Sequence, residues 1–421
     1  MKLTKLAFAL GSCLLAMTAP AQAVEAPLLA DIQTRVAAVE GRMIAWRRDI
    51  HQHPELSNQE HRTAKLVADH LKKLGLEVKT GVGGTGVVGL LKGDLPGKVV
   101  ALRADMDALP VKELVDLPFA SKAKGKHMGK EVDVMHACGH DGHTAMLLGA
   151  ARYLAEKKSF NGTVHLIFQP AEEVMGGAPA MIADGLFERF PMDAVFGMHN
   201  MPTLERGKLY FTTGPIMAAV DNWEIVLTGV GSHGSMPERS VDPVVAGASL
   251  VMALQTIVSR NVAPLDSAVV SVGAFLAGDA GNVIPQTATL RLSIRSSKPE
   301  TRKLVLDKVR AITAAQAAAF GVSFEIREGA PGAVLVNNPA QTELCAAIAR
   351  TVLGEEQVVM PGPTFMGSED FAYYAQHKPG TYCFIGNGNT PMVHHPMYDF
   401  DDRNLPVGAA YWVAVAEHFL A

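Results

Sequence analysis

The sequence predicts an α/β fold: one domain built on a mixed, largely parallel sheet, with a smaller ferredoxin-like βαββαβ unit inserted into it. Three observations carry this. Short apolar runs bounded by turns alternate with helical stretches through the first half of the chain, which is how buried strands and their crossover helices read. Between Ile216 and Arg327 the order changes to strand, helix, strand, strand, helix, strand, the split βαβ arrangement. An α/β pattern then returns and runs to the C-terminus. With 421 residues, 48% of them hydrophobic and 19% charged, the chain is long enough for two cores.

The first element is a leader. Lys2 and Lys5 precede an apolar run from Leu6 to Met17, and Ala21-Gln22-Ala23 gives a small-x-small cleavage pattern. Residues 1–23 read as a secretory signal, with an apolar run too short to span a bilayer. Leu10-Gly11-Ser12-Cys13 has the look of a lipoprotein site but sits too early, with apolar residues continuing past it. Cleavage removes two lysines and no acids, which moves the formal charge from −4 to −6. The expectation is an exported, periplasmic protein with no membrane anchor after cleavage, since no later segment reads as long and apolar enough to cross. So mild a charge gives no reason to expect a nucleic-acid partner.

From Thr34 to Leu74 the pattern is helical, with Leu66, Val67, His70, Leu71 and Leu74 on one face and Gly75 as the stop. Strands are expected at "GVVGLL", "KVVALRAD", "TVHLIFQP" and "DAVFGMH", with a helix at "TAMLLGAARYLAEKK". Three of these strands end in candidate ligands or acids: Asp105 and Asp107, Glu172 and Glu173, and His199. Sites in open α/β sheets gather at the carboxyl ends of strands, so three segments are expected at one sheet edge. In the insertion, "DNWEIVLTG", "SAVVSVGAF", "TATLRLSIRS" and "VSFEIRE" read as strands, and Asp242 caps a helix that opens on Pro243. The expected boundaries are 24–215 and 328–421 for the larger domain and 216–327 for the insertion.

Chemistry concentrates in "VMHACGHDGHTAM", which holds His136, Cys138, His140, Asp141 and His143. A buried structural cysteine needs no such neighbours, whereas a metal site does. Cysteine, histidine and carboxylate are the donors that zinc and similar ions take. A C-x-H pair alone is weak evidence. "QPAEE" adds Glu172 and Glu173 at a strand end, where adjacent carboxylates are unfavourable unless a positive charge lies beside them. "GMHN" adds His199, and "MVHHP" adds His394 and His395. Cys345, in a helical pattern, and Cys383, in the strand-like "TYCFIG", read as buried free thiols. "GVGGTG" is followed by a strand where a phosphate loop needs a helix. There is no G-x-S-x-G nucleophile elbow and no H-E-x-x-H.

The motifs "RADMDALP", "MHACGHDGH", "FQPAEE", "GMHN", "GSHGSMP", "GNVIP", "GSEDFAYY" and "HHPMY" run in order over nearly the whole mature chain. Together they resemble the metal-dependent amidohydrolases of the aminoacylase/carboxypeptidase family, in the branch of hippurate hydrolases and plant auxin-conjugate hydrolases. The resemblance implies two divalent metal ions (zinc, manganese, cobalt or nickel) held by Cys138, His140, Glu173, His199 and His394, with Glu172 as general base. It selects His394 over His395, as the histidine two places before the proline. It makes Asp107 a supporting aspartate that orients a ligand. Asp105 stands where many relatives outside this branch carry histidine, and it is not counted as a ligand. His233 corresponds to a histidine that binds the oxyanion or carbonyl, often in the partner subunit's site. Asn282 and Arg295 match positions that hold substrate polar groups, and a guanidinium suits a carboxylate.

The implied assembly is a homo-oligomer, dimer or tetramer, with the insertion as lid and dimerisation domain. The implied reaction is hydrolysis of an N-acyl amino acid, hippurate-like or N-acetyl, to a carboxylate and a free amino acid. A dipeptidase or carboxypeptidase using the same site is the enzymatic alternative. A non-catalytic periplasmic binding protein is the alternative from another class, and it would have no use for a base at Glu172.

Overall fold

Alternate residues of strand Val99–Asp105 enter two different cores. Val100, Leu102 and Ala104 pack into one and Ala101 into the other, because successive side chains of a strand point to opposite faces. The computed structural model describes residues 26–158 and 160–421, so the leader read at residues 1–23 lies outside the described residues.

Strand Val99–Asp105 sits inside an eight-stranded sheet of order 77–82, 86–92, 163–169, 99–105, 194–202, 380–388, 209–210, 358–359. The four central strands, 163–169 to 380–388, run parallel, while 77–82 and 86–92 join antiparallel at one end. All nine residues of Ala194–Pro202 are buried, as a strand covered by helices on both faces requires. Helices Ala26–Gln52, His61–Lys73, His140–Lys157, Pro339–Leu353 and Leu405–Phe419 supply one covering layer, through residues such as Val67, Leu148 and Trp412. The short helices Gly177–Ala183, Leu186–Arg189 and Phe371–His377 supply the other.

The stretch read as continuously helical from Thr34 to Leu74 is two helices, Ala26–Gln52 and His61–Lys73. Pro54 lies in the break; it has no N–H to donate, and its ring clashes with the turn before it.

The second unit is a four-stranded antiparallel sheet of order 268–276, 287–296, 219–228, 323–328. Helices Pro243–Asn261 and Pro299–Phe320 pack on it, which is the ferredoxin-like βαββαβ arrangement. Its buried cluster runs from Trp223 to Val322 and is separate from the other two. Asp242 caps its first helix, accepting from the backbone N–H of Val244 at 2.7 Å and of Val245 at 3.3 Å. Against the sequence expectation, Pro243–Asn261 is long and apolar enough to cross a membrane by length and composition. Here its Ala246, Leu250, Leu254 and Ile257 pack into the core of the insertion.

Candidate metal centre

The loop bearing Cys138 and His140 depends on one glycine. Gly139 has φ +85°, and a Cβ there would lie 2.3 Å from Asn200 Nδ2 and 2.5 Å from Tyr398 Oη. Only glycine takes this backbone without strain and without collision. The helix His140–Lys157 begins at the next residue, so Cys138 and His140 are presented from a tight corner. Strands 163–169, 99–105 and 194–202 are neighbours in the sheet. Their carboxyl ends carry Glu172 and Glu173, Asp105 and Asp107, and His199 to the same edge. His394, at φ +69°, is tied to the cysteine loop by its backbone N–H, which donates to the Ala137 carbonyl at 2.7 Å.

The candidate donors form one continuous cluster. Cys138 Sγ lies 3.4 Å from His199 Nε2. His199 Nδ1 faces the Asn200 carbonyl, so that nitrogen carries the proton and Nε2 offers a lone pair. Glu173 lies 3.8 Å from His140 Nε2 through one oxygen and 3.3 Å from His394 Nε2 through the other. Cys138, His140 and His199 make one group with all donor atoms within 4.8 Å; Cys138, Glu173 and His394 make a second, and His140, Glu172 and Glu173 a third.

The donor set fits divalent cations. His140 Nε2 and one oxygen of Glu173 are buried with no hydrogen-bond partner among the described residues. Such orphans carry a penalty of about 1–3 kcal/mol each, which a cation between them would relieve. Burial, with Glu173, Glu172 and Asp105 nearby, pushes the Cys138 thiol well above its usual range, so a thiolate there needs positive charge. Burial opposes charge on His140, but Asp105, Asp107 and Glu173 outweigh it and raise its pKa to about 10. Metal binding would displace that proton.

Asp107 organises the edge. It accepts from the backbone N–H groups of Glu172 and Glu173, both at 3.1 Å, and from Ser57 Oγ at 2.6 Å. It also lies 3.3 Å from His140 Nδ1. One carboxylate thus fixes a candidate donor ring and the turn carrying both glutamates. Glu172 is 6% exposed. Burial, then Glu369, Glu173, Asp370 and Asp107, hold its carboxyl well above the usual range.

Other members of the histidine-rich loop have protein partners, although His143 also makes a donor group with Asp105 and His140. His143 Nδ1 donates to Asp105 at 2.6 Å and its Nε2 accepts from the Asn200 N–H at 2.9 Å. Asp141 accepts from Arg47 at 2.9 Å and His51 at 2.8 Å, which anchors the helix start on the first helix. His136 joins none of the donor groups found among the described residues.

Sequence reasoning missed the layer beneath. Arg103, 1% exposed, donates to Asp105 at 2.7 Å, Glu369 at 2.9 Å, Asp370 at 3.1 Å and Gln169 at 2.9 Å. The signal was available: an arginine inside the apolar strand "VVALRAD" must be paired if it is buried.

A cavity of 390 Å³ opens on Cys138, Glu173, His199 and His394 and is also lined by Glu172 and Arg295. Arg295 Nη1 donates to the Met366 carbonyl at 3.2 Å and Ser368 Oγ at 3.0 Å. No carboxylate pairs with it among the described residues. Asn282 does not share this position, contrary to its grouping with Arg295 from the sequence. Its carbonyl accepts from the Gly234 N–H at 2.7 Å, beside His233 in the two-stranded pair 232–233 and 283–284. His233 is exposed, bonded to Ser235 Oγ at 2.7 Å. Neither residue lines the cavity of its own chain. A larger cleft, 470 Å³, lies by Asp221, Arg302 and Arg310 and includes none of the candidate donors.

Comparison with known proteins identifies the family. The family model "Peptidase family M20/M25/M40" matches residues 101–418. The chain is 45% identical over 382 residues to a hippurate hydrolase of Campylobacter jejuni, covering 91% of this chain and 97% of that one. It is 40% identical over 379 residues to an N-acetyl-L-cysteine deacetylase of Bacillus subtilis, covering 90% and 88%. The crystal structure of the Bacillus subtilis YXEP protein, described as a dinuclear metal-binding peptidase from the M20 family, superposes with a TM-score of 0.77 at 35% identity, covering 91% of this chain and 99% of that one. These matches take in the donor loops and the insertion alike, and the chain belongs to peptidase family M20/M25/M40.

Proposed function

We propose that the protein hydrolyses the amide bond of N-acyl amino acids, releasing a carboxylate and a free amino acid. Two divalent ions would be held by Cys138, His140, Glu173, His199 and His394. The observation that carries this is the convergence, on one cavity, of Cys138, Glu173, His199 and His394, with His140 grouped beside them, the buried carboxyl of Glu172 and the guanidinium of Arg295, which no carboxylate pairs among the described residues. The names of the relatives, a hippurate hydrolase and an N-acetyl-L-cysteine deacetylase, support the same reading.

Divalent cations bound there would lower the pKa of water and polarise the amide carbonyl. Glu172 takes the proton of the attacking water and delivers it to the leaving nitrogen. Burial and the acids around it favour its protonated form, and bound cations would offset that so that the carboxylate accepts the proton. Asp107 holds the Glu172 turn and the His140 ring in fixed relation. Arg295 orients the substrate by its α-carboxylate through a charge-assisted contact of about 1.5–3 kcal/mol.

Carboxylate dependence is therefore expected to be sharp. In wild type, kcat/KM for an N-acyl amino acid should exceed that for its methyl ester or amide by about 10- to 100-fold. In Arg295→Ala the gap should shrink to a few-fold. Equal rates on all three substrates in wild type would mean that Arg295 anchors nothing.

The proposal includes dimerisation through the insertion, with His233 and Asn282 lent to the partner's site. The support is their position, exposed and outside the cavity of their own chain. Glu172→Gln protein mixed with His233→Ala protein is expected to regain activity as heterodimers form. Verified heterodimers that stay inactive would sink the exchange.

A further inference from the structure

We infer that Glu60 is a positioning residue for the reaction: its buried carboxylate holds Ala171 in the left-handed backbone conformation from which Glu172 is presented to the cavity. This deepens, and rests on, the amidohydrolase reading above. Glu60 directly precedes helix His61–Lys73, where the free N–H groups of the helix start favour a carboxylate. Its side chain caps nothing there. Glu55 takes that place, accepting from the backbone N–H groups of Arg62 and Thr63, both at 2.8 Å. Glu60 turns inward instead and is fully buried, at 0% exposure. One of its oxygens accepts from the Asn58 N–H at 2.8 Å and from the Ala171 N–H at 2.9 Å, and the other accepts from the Thr85 hydroxyl.

Asn58 and Ala171 both have positive φ, +65° and +53°. Asparagine enters this region readily and alanine does not, so Ala171 needs to be held. It is tied at both ends. Its N–H goes to Glu60, and its carbonyl receives the N–H groups of Gly176 at 3.2 Å and Gly177 at 3.0 Å. The next two residues, Glu172 and Glu173, give their N–H groups to Asp107. Three successive N–H groups of the turn therefore end on two buried carboxylates, the first on Glu60 and the other two on Asp107. With Ala171 released, the backbone just before Glu172 is free to leave the left-handed region, and the carboxyl that moves the proton shifts with it.

Aspartate keeps the charge but is one methylene shorter, so it falls short of Ala171. Glutamine keeps the reach: its oxygen takes both N–H groups, and its NH2 donates to the Thr85 oxygen. The test compares Glu60→Asp and Glu60→Gln with wild type, all loaded with Zn²⁺, by amide hydrogen exchange and by turnover of an N-acyl amino acid. In Glu60→Asp, exchange over residues 171–175 should quicken at least about tenfold, while exchange over helix His61–Lys73 changes by less than about threefold. The kcat should fall about 10- to 100-fold, as for a misplaced catalytic group, with KM and metal content near wild type. Glu60→Gln should recover all but a few-fold of that kcat. A residue serving only the stability of the fold would quicken both segments together and leave kcat per folded molecule unchanged. Wild-type exchange over 171–175 in Glu60→Asp would overturn the inference. So would faster exchange there with unchanged kcat, or a glutamine variant as impaired as the aspartate one. If Glu60→Asp does not fold, Thr85→Ala, which frees the carboxylate to swing off Ala171, is read for the same two quantities, and wild-type values of both overturn the inference. Wild-type protein that releases no amino acid removes the hydrolase reading, and exchange over 171–175 then decides alone whether Glu60 holds the turn.

Discussion

Glu172→Gln is expected to lose about 10²- to 10⁴-fold in kcat, the range for removing a general base, while keeping near-normal metal content. The structure separates the two adjacent glutamates. Glu173 has one oxygen 3.8 Å from His140 Nε2 and the other 3.3 Å from His394 Nε2, so it sits among the candidate donors on both sides. Glu172 shares a donor group with His140 and Glu173, and another with Glu369 and Asp370, the two acids that Arg103 pairs from below. A carboxyl with acids on one side and donors on the other is placed to carry a proton. Glu173→Gln should lose metal as well as activity. Elemental analysis and kcat on both variants check the pair; wild-type turnover in Glu172→Gln would remove the proposed base.

Arg103→Met is expected to be the most destabilising single change outside the donors, by about 3–5 kcal/mol near neutral pH. The guanidinium bonds three buried carboxylates, Asp105, Glu369 and Asp370, which are 0%, 1% and 0% exposed. Removing it takes the buried cation from Asp105 and Glu369, while burial already holds the Asp370 carboxyl well above the usual range. The apolar replacement fills the space and pairs with nothing. The deficit should be smaller at pH 5 than at pH 8, because stranded carboxylates protonate more readily as pH falls. Thermal unfolding of wild type and variant at both pH values measures it. A loss under about 1 kcal/mol would mean that the acids find other partners or are protonated in the wild type.

Much of the site was legible because parallel sheets are legible. Strands buried on both faces read as apolar runs; Asp105 and Glu172 stand at or just past the ends of two of them, and His199 three residues before the end of a third. Once those strands are neighbours, their ends must share an edge. Gly139 was legible as a tight corner, although the collision with Asn200 and Tyr398 that makes it obligatory comes from distant segments. What the sequence hid was pairing at long range. Arg103 meets Glu369 across 266 positions and Asp370 across 267, and no local pattern links them. The position of Asn282 was hidden for the same reason: its neighbour His233 is reached only by pairing strands 232–233 and 283–284, while Arg295, closer in sequence, faces the cavity. The helix break at Pro54 could have been read, since proline in a helical pattern marks its end.

Metal content and product release, measured on one preparation, test the central claim most directly. Protein loaded with Zn²⁺ or Mn²⁺ should hold two ions per chain and release free amino acid from an N-acyl amino acid. Chelation should remove the ions and the activity together, expose Cys138 to alkylation, and be reversed when the metal is restored. Release that continues unchanged in protein stripped of its ions, with Cys138 labelled equally before and after, would contradict the account.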